Sequence, residues 1–331
     1  KNFVNEIHKH NLKAMLWWSP LAVDPGTDLI KNHPEYLLLN KDGSKQDITW
    51  WDSYYLCPAY EPVIEYHKNL VRKIMNEWGY DGLKIDGQHL NSAPPCYNKA
   101  HHHAYPEESV EKLPELYKAI YETALGINPD AVIQICPCGT SYSFYNLHYM
   151  NQTVASDPTS SWQIRLKGKT LKALMGSDSP YFGDHVELSD SGSDFASTIG
   201  VGGIVGTKFT YPTDRLDHKK HLLTKEKEID WKKWLDIYNN NYLSKAEYKG
   251  ELYGIGYDKP ETHAIQKGDT LYYAFYAKEW NGEIELRGLQ KKYYKVIDYE
   301  NGIVLKTING ENPKMDCNFS KYLLIKVVPI N

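Results

Sequence analysis

The chain of 331 residues is 41% hydrophobic and 24% charged, with a formal net charge of -4, a balance that supports a sizeable core. The slight negative charge gives no basic footprint for nucleic acid, and no uninterrupted apolar run is long enough to cross a bilayer as a helix. Neither a nucleic-acid partner nor a membrane-spanning segment is expected; homo-oligomerisation is left open.

Residues 2–10 read as the end of a helix, with Phe3, Val4 and Ile7 on one stripe. LKAMLWW (12–18) is a short apolar run stopped by Ser19-Pro20 and reads as a buried strand. After a long loop, EPVIEYHKNLVRKIMNEW (61–78) carries apolar residues at helical spacing with Pro near its start. GLKID (82–86) is then a strand, LPELYKAIYETALGI (113–127) a helix and AVIQIC (131–136) a strand. TVAS (153–156) is a short strand ending at Asp157, followed by a helix over 164–175. Further strands are expected over 179–186 and 202–209, with a helix near 192–199 between them.

This alternation argues for parallel βαβ units. Polar and aromatic residues gather just after the strands, as they do at the C-terminal face of a (β/α)8 TIM barrel. An open doubly wound sheet is the alternative, but no Gly-rich phosphate loop follows any strand. Six strand–helix units cannot close an eight-stranded barrel, so strands three to eight are read as visible and the first two as preceding Lys1. The chain begins without Met or a signal peptide. Its N-terminal part is read as missing, and a secreted or periplasmic location is favoured slightly over a cytoplasmic one.

Residues 230–245 read as an exit helix. Beyond about residue 250 the period changes to two, with strands at 270–277, 282–289, 293–299, 302–308 and 321–329. Asn281-Gly282, Asn301-Gly302 and Asn309-Gly310 supply turn signals between them. The expected architecture is therefore α/β: an N-terminally incomplete catalytic barrel over 1–248, then a C-terminal antiparallel β-sandwich over 249–331.

The aromatic content, 27 Tyr and 9 Trp against 7 Phe, favours rings with a polar edge, which can stack on a sugar and hydrogen-bond its hydroxyls. Strand alternation puts Lys84 and Asp86 on one side of 82–86 and Leu83 and Ile85 on the other. A cation beside a buried carboxylate keeps it ionised, as a nucleophile requires; a purely structural ion pair is the less favoured alternative. Asp157 also stands at a strand end, with Trp162 and Arg165 close behind, though alone it reads as a helix cap. Cys136, Cys138 and Gly139 form a small-residue turn after another strand, where a ligand can come close. Asp184 and His185 form a further polar cluster. Trp17 and Trp18 end the first strand, and only one of them can face a barrel axis.

Two carboxylates on separate strand ends are the minimum for glycoside hydrolysis: one attacks the anomeric carbon, the other protonates the leaving oxygen and then activates water. The five cysteines make no disulfide framework, and Cys-Pro-Cys at 136–138 has the wrong spacing for a redox or zinc motif. Metal-assisted hydrolysis through Cys96 and the triplet His101, His102 and His103 is discounted, because consecutive side chains cannot all meet one ion from regular backbone. No metal or cofactor is expected.

The segments reached so far resemble glycoside hydrolase family 36, which includes α-galactosidases and α-N-acetylgalactosaminidases. LKAMLWWSPLAVDPGTDLIKNHPEYLL (12–38) resembles that family's third strand and following loop, and GYDGLKIDGQH (79–89) its fourth. CPCGT (136–140) is similar to the fifth-strand sugar-binding loop, SDPTSSWQIR (156–165) to the acid/base segment, and GDHVE (183–187) to a motif near the seventh strand. The resemblance implies a retaining exo-α-glycosidase acting on terminal α-linked galactose, with Asp86 as nucleophile and Asp157 as general acid/base. An α-N-acetylgalactosaminidase is the neighbouring possibility, and a non-catalytic carbohydrate-binding protein the reading from another class. Trp17, Trp18, Lys84, Gln88, His89, Cys136, Cys138, Gly139, Trp162, Arg165, Asp184 and His185 are the candidates for contact with an oligosaccharide or glycoconjugate. The loop over 47–62 lacks the Arg that the family tends to place against sugar, Gln88 stands where an Asn is common, and 94–108 looks like an insertion beside the site.

Overall fold

The computed structural model describes residues 1–87, 93–139, 142–185, 194–207 and 222–330. The chain forms two compact units, Lys1–Gln152 and Thr153–Asn331.

The first unit runs α1 (Asn2–Lys9), β1 (Met15–Trp18), β2 (Ala22–Val23), α2 (Asp28–Asn32), β3 (Asp47–Ile48), β4 (Ser53–Tyr55), α3 (Glu61–Arg72), β5 (Gly82–Asp86), α4 (Glu108–Glu111), α5 (Leu113–Ile127) and β6 (Val132–Cys136). Parallel pairing in the order β1-β5-β6 builds its central sheet, in a register that sets Trp17 beside Lys84 and Asp86 beside Cys136. Leu83, Ile85, Ile133 and Ile135 are fully buried, while Lys84 and Asp86 are half-buried. The pleat separates apolar from chemical side chains as their alternation predicts. Gly82 is needed where β5 meets β6: an added Cβ would lie 2.3 Å from the Val132 carbonyl oxygen.

Helix α3 opens with Pro62 in its first turn and buries Val63, Ile64, His67 and Val71; it packs against α5. The uninterrupted α-helix expected to residue 78 instead widens into a π-turn over Lys73–Glu77. The region between β1 and α3, read from sequence only as a long loop, folds into a small antiparallel sheet in the order β2-β4-β3. Val23, Ile30, Leu37, Leu56 and Val63 give it a core of its own.

The second unit runs β7 (Thr153–Val154), α6 (Ser161–Met175), β8 (Tyr181–Phe182), α7 (Phe195–Gly200), α8 (Lys225–Asn241), β9 (Glu247–Tyr248), β10 (Glu261–Lys267), β11 (Thr270–Glu285), β12 (Tyr293–Asp298), β13 (Ile303–Asn309) and β14 (Lys314–Pro329). Strands β7 and β8 are parallel, and Phe182 makes a further parallel bridge to Ile204. That bridge is the described part of the strand expected over 202–209. The exit helix is longer at its start than expected: Thr224 Oγ1 accepts from Lys227 N to cap α8, which ends where Tyr242 turns left-handed at φ 47°.

After α8 comes one six-stranded antiparallel sheet in the order β13-β12-β14-β11-β10-β9. Asn301-Gly302 lies between strands and Asn309-Gly310 ends β13, as expected, but Asn281-Gly282 marks no turn. It sits inside β11, paired with Asn318 and Cys317 of β14. The ladder absorbs one irregularity, between Ala277 and Glu279, and side chains from both halves of β11 (Tyr273, Phe275, Ile284) share one core with Val296 and Ile325. Among the described residues no helix is long and apolar enough to cross a membrane.

Candidate active site

In the first unit the site is built on the C-terminal ends of β1, β5 and β6. The Trp17 indole Nε1 donates to Asp86 Oδ2 at 2.7 Å. Among the described residues, Asp86 Oδ1 is buried and has no hydrogen-bond partner. A buried carboxylate oxygen is costly to leave unpaired, so this atom is available to a ligand or to residues beyond the described ones. Trp17 is 55% exposed and its ring lies 5.8 Å from that of Trp51, tilted by 52°, forming an open aromatic wall beside the carboxylate. Trp51 was not among the expected site residues; its place on a short helical turn of a loop left no periodic signal. Trp18 alternates to the other side, where it packs on His67 at 5.5 Å and lines a cavity of about 210 Å3 with Tyr66 and Leu70. The structure thus answers which Trp of the pair stands by Asp86.

Beyond β5, the Gly87 amide donates to the Cys136 carbonyl at 3.1 Å. Cys136 is buried, and the chain leaves β6 through two left-handed residues, Cys138 at φ 48° and Gly139 at φ 81°. Gln88 and His89 lie outside the described residues.

In the second unit, Asp157 follows β7 at φ 47°, directly after Ser156 at φ 54°. Consecutive left-handed non-glycine residues are strained and need surrounding contacts to hold them. Those contacts are present: Lys167 Nζ donates to the Ser156 carbonyl at 2.8 Å, and the Asp157 amide donates to Asp184 Oδ2 at 2.9 Å. His185 Nε2 lies 2.6 Å from Asp157 Oδ1, and its Nδ1 lies 3.4 Å from Asp184 Oδ1. Asp184 is buried, whereas the Asp157 side chain is 37% exposed. Asp157 does not cap the following helix; Ser160 does, accepting from Gln163 N. Trp162 stands exposed in the first turn of α6.

Arg165 has a different engagement from the sugar contact expected of it. Its Nε and Nη2 donate to the two Glu261 carboxylate oxygens at 2.6 and 3.0 Å, its Nη1 donates to Ser197 Oγ at 2.8 Å, and its guanidinium lies 4.2 Å from the Tyr276 ring centre. This fork binds α6 and α7 to β10. Burial alone would raise the Glu261 carboxyl, but hydrogen bonds from His263 and Arg165 and the guanidinium charge hold it at about 2. A depressed carboxyl contributes stability that is complete above its ordinary value of 4.5 and lost as pH falls through about 2. Glu261→Gln should therefore cost about 3 kcal/mol at neutral pH by stranding the buried cation. It should also flatten the fall of the denaturation midpoint between those two pH values, as measured by thermal melts across the range. A variant that melts with the wild-type pH dependence would rule the fork out as a stabilising element.

Among the described residues two groups of side chains bring metal-ligating atoms within 4.8 Å of one another: Asp157, Asp184 and His185, and, in the first unit, Cys57, Cys96, His101 and His103.

The profile of the Melibiase family matches residues 1–193. The chain belongs to the Melibiase family. This agrees with the resemblance to glycoside hydrolase family 36 carried by its strand-end motifs. A curated relative named "A type blood alpha-D-galactosamine galactosaminidase", from Flavonifractor plautii, is 36% identical over 342 residues, covering 98% of this chain and 30% of its own length. Among solved structures, the α-galactosidase AgaA of Geobacillus stearothermophilus in complex with raffinose superposes with a TM-score of 0.71 at 16% identity, covering 100% of this chain and 46% of the other. The α-galactosidase of Lactobacillus brevis gives a TM-score of 0.71 at 14% identity with the same coverage. At these identities the likeness concerns the fold. The chain spans under half the length of each of these relatives. The Melibiase match takes in Lys84, Asp86, Cys138, Asp157, Asp184 and His185, and the antiparallel sheet from β9 onward lies beyond it.

Proposed function

We propose that the protein is a retaining exo-α-glycosidase acting on terminal α-linked sugars of galactose configuration. The observation that carries this reading is the carboxylate of Asp86, held by Trp17 through one oxygen and presenting the other at a strand end, buried and unbonded among the described residues. In the proposed reaction Asp86 attacks the anomeric carbon as the glycosidic C–O bond breaks, and Asp157 gives its proton to the leaving oxygen. Asp157 then takes a proton from water as that water attacks the glycosyl ester, which releases Asp86. His185, hydrogen-bonded to Asp157, and the buried Asp184 behind it fix the orientation of this acid/base. The exposed Trp17 ring and the half-buried Trp51 beside it supply a stacking face for the sugar.

The (β/α)8 assignment of 1–248 and the β-sandwich assignment of 249–331 belong to the same proposal. They are supported by parallel segments that follow one another in the family's order and by the antiparallel sheet after α8. For the sugar itself, galactose is the reading from the motifs, while the name of the Flavonifractor plautii relative favours α-linked galactosamine. The experiment is a comparison of kcat/KM for the full-length protein on aryl α-galactoside, α-N-acetylgalactosaminide and α-galactosaminide. Turnover of any one supports the glycosidase reading and ranks the sugars. Glycan binding with no turnover of the three would favour the non-catalytic alternative.

Trp17→Phe keeps the ring face but removes the donor to Asp86. A hydrogen bond to a charged group contributes about 1.5–3 kcal/mol, so kcat should fall at least roughly tenfold with KM little changed. An unchanged kcat would mean that the indole N–H does not serve the nucleophile.

A further inference from the structure

Four ligand-forming side chains that the proposed reaction does not use meet in the first unit. Cys57 follows β4, while Cys96, His101 and His103 lie in the segment that precedes α4. Cys57 Sγ lies 3.3 Å from His103 Nε2, and Cys96 Sγ lies 3.2 Å from His101 Nδ1. Cys57, Cys96 and His101 are all buried. Tetrahedral zinc with bonds of about 2.3 Å to sulfur and 2.0–2.1 Å to nitrogen puts neighbouring S and N ligands about 3.5 Å apart. The observed spacings are only slightly tighter than that. We propose that Cys57, Cys96, His101 and His103 form a structural Zn2+ site.

The groups behind the ligands support the assignment. The other ring nitrogen of His101, Nε2, is hydrogen-bonded to the Glu35 carbonyl, and that of His103, Nδ1, lies 3.4 Å from Glu108 Oε2. Each imidazole thereby has an outer partner that fixes the tautomer with a lone pair toward the cluster. Two thiolates and two neutral imidazoles around a dication give zero net charge, which suits a buried site. Forming it releases one proton from each thiol to solvent as each S–Zn bond forms. Four protein ligands fill a tetrahedral shell and leave no open position for chemistry, so the ion is a staple and not a Lewis acid.

Irregular backbone lets two members of the histidine triplet meet one ion. His102 is left-handed at φ 54°, which turns His101 and His103 to the same side and leaves His102 out. What the staple would hold is the segment 93–108, part of the chain that continues from β5 and Asp86. Its backbone is already tied to the loop before β3 through Tyr97 N to the Leu39 carbonyl, and Asn98 Nδ2 reaches the Leu37 carbonyl. A metal there couples the apparent insertion to the loop region between β1 and α3.

The test is metal and thiol analysis of the full-length protein. Elemental analysis should find about one zinc per chain, and replacement with Co2+ should give the intense visible bands of tetrahedral cobalt together with thiolate-to-metal charge transfer. Cys57→Ser and His103→Ala should lose stoichiometric metal, whereas Cys317→Ser, in the other unit, should keep it. If the ligand variants fail to fold, the cobalt spectrum of the wild-type protein still decides. A Cys57–Cys96 disulfide, seen as a mass two hydrogens lighter, would overturn the proposal. So would the absence of metal after zinc reconstitution with the thiols of Cys57 and Cys96 titratable, or full zinc retention in the folded Cys57→Ser variant.

Discussion

Asp86→Ala should lower kcat on an aryl α-glycoside of the right sugar by about 10^4-fold or more, since removing a covalent nucleophile costs that order in enzymes that depend on one. The expectation follows from where the carboxylate stands. Leu83 and Ile85 hold β5 in the sheet, so the strand delivers Asp86 at its end with little freedom. Trp17 fixes one oxygen, and no group among the described residues bonds the other. An oxygen that is already stripped of partners loses little when it attacks carbon. Azide added to the variant should take the place of the missing carboxylate, attack from the same side and give a β-glycosyl azide from an α-glycoside. Circular dichroism and melting behaviour should match the wild-type protein, because the substitution removes a charge and leaves β5 paired. Undiminished kcat in a folded Asp86→Ala variant would remove Asp86 from the nucleophile role.

How much of this was legible in the sequence differs from element to element. Helix α5 could be read to the residue, because Leu113-Pro114 starts it and Asn128-Pro129 stops it while the apolar stripe between is unbroken. Strand β5 was equally plain, since alternation over five residues separates buried from chemical side chains. The Asn281-Gly282 signal misled for a physical reason. A dipeptide preference is a local term, and here a long ladder to β14 runs across it. Strands β9 and β10 escaped notice because Glu261, His263 and Gln266 do not look like strand residues until the Arg165 fork and neighbouring strands bury or pair them.

The same contrast separates the functional groups. Asp86 and its Lys84 neighbour announce themselves within five residues. The metal-ligating cluster is only partly visible in Cys96, His101 and His103, because its fourth member, Cys57, comes from the far side of α3 and no spacing rule connects the two segments. Arg165 looked like a substrate ligand because it follows Asp157 closely in sequence, but helix phase turns it toward Glu261. Sequence nearness is a poor guide to direction on a helix, where successive side chains point about 100° apart.

For Asp157 the decisive measurement is the dependence of the defect on the leaving group. Read from sequence, Asp157 had the look of a helix cap; in the structure Ser160 caps α6, and Asp157 is bent into a left-handed conformation and bound to His185. Strain of that kind persists only where surrounding contacts enforce it. Asp157→Ala should therefore lower kcat by roughly 10^2–10^4-fold on a glycoside whose leaving group needs protonation. An aryl glycoside with an acidic phenol needs no such help in the first step, so its loss should fall mainly on hydrolysis of the glycosyl ester and the ester should accumulate. Azide, which attacks without general-base assistance, should then restore turnover and yield the α-glycosyl azide, the configuration of the substrate. His185→Ala should reproduce a smaller form of the same leaving-group dependence, because it leaves the acid in place but frees its orientation. A uniform loss across leaving groups, or a β-configured azide from Asp157→Ala, would remove Asp157 from the acid/base role, and the second result would exchange it with Asp86.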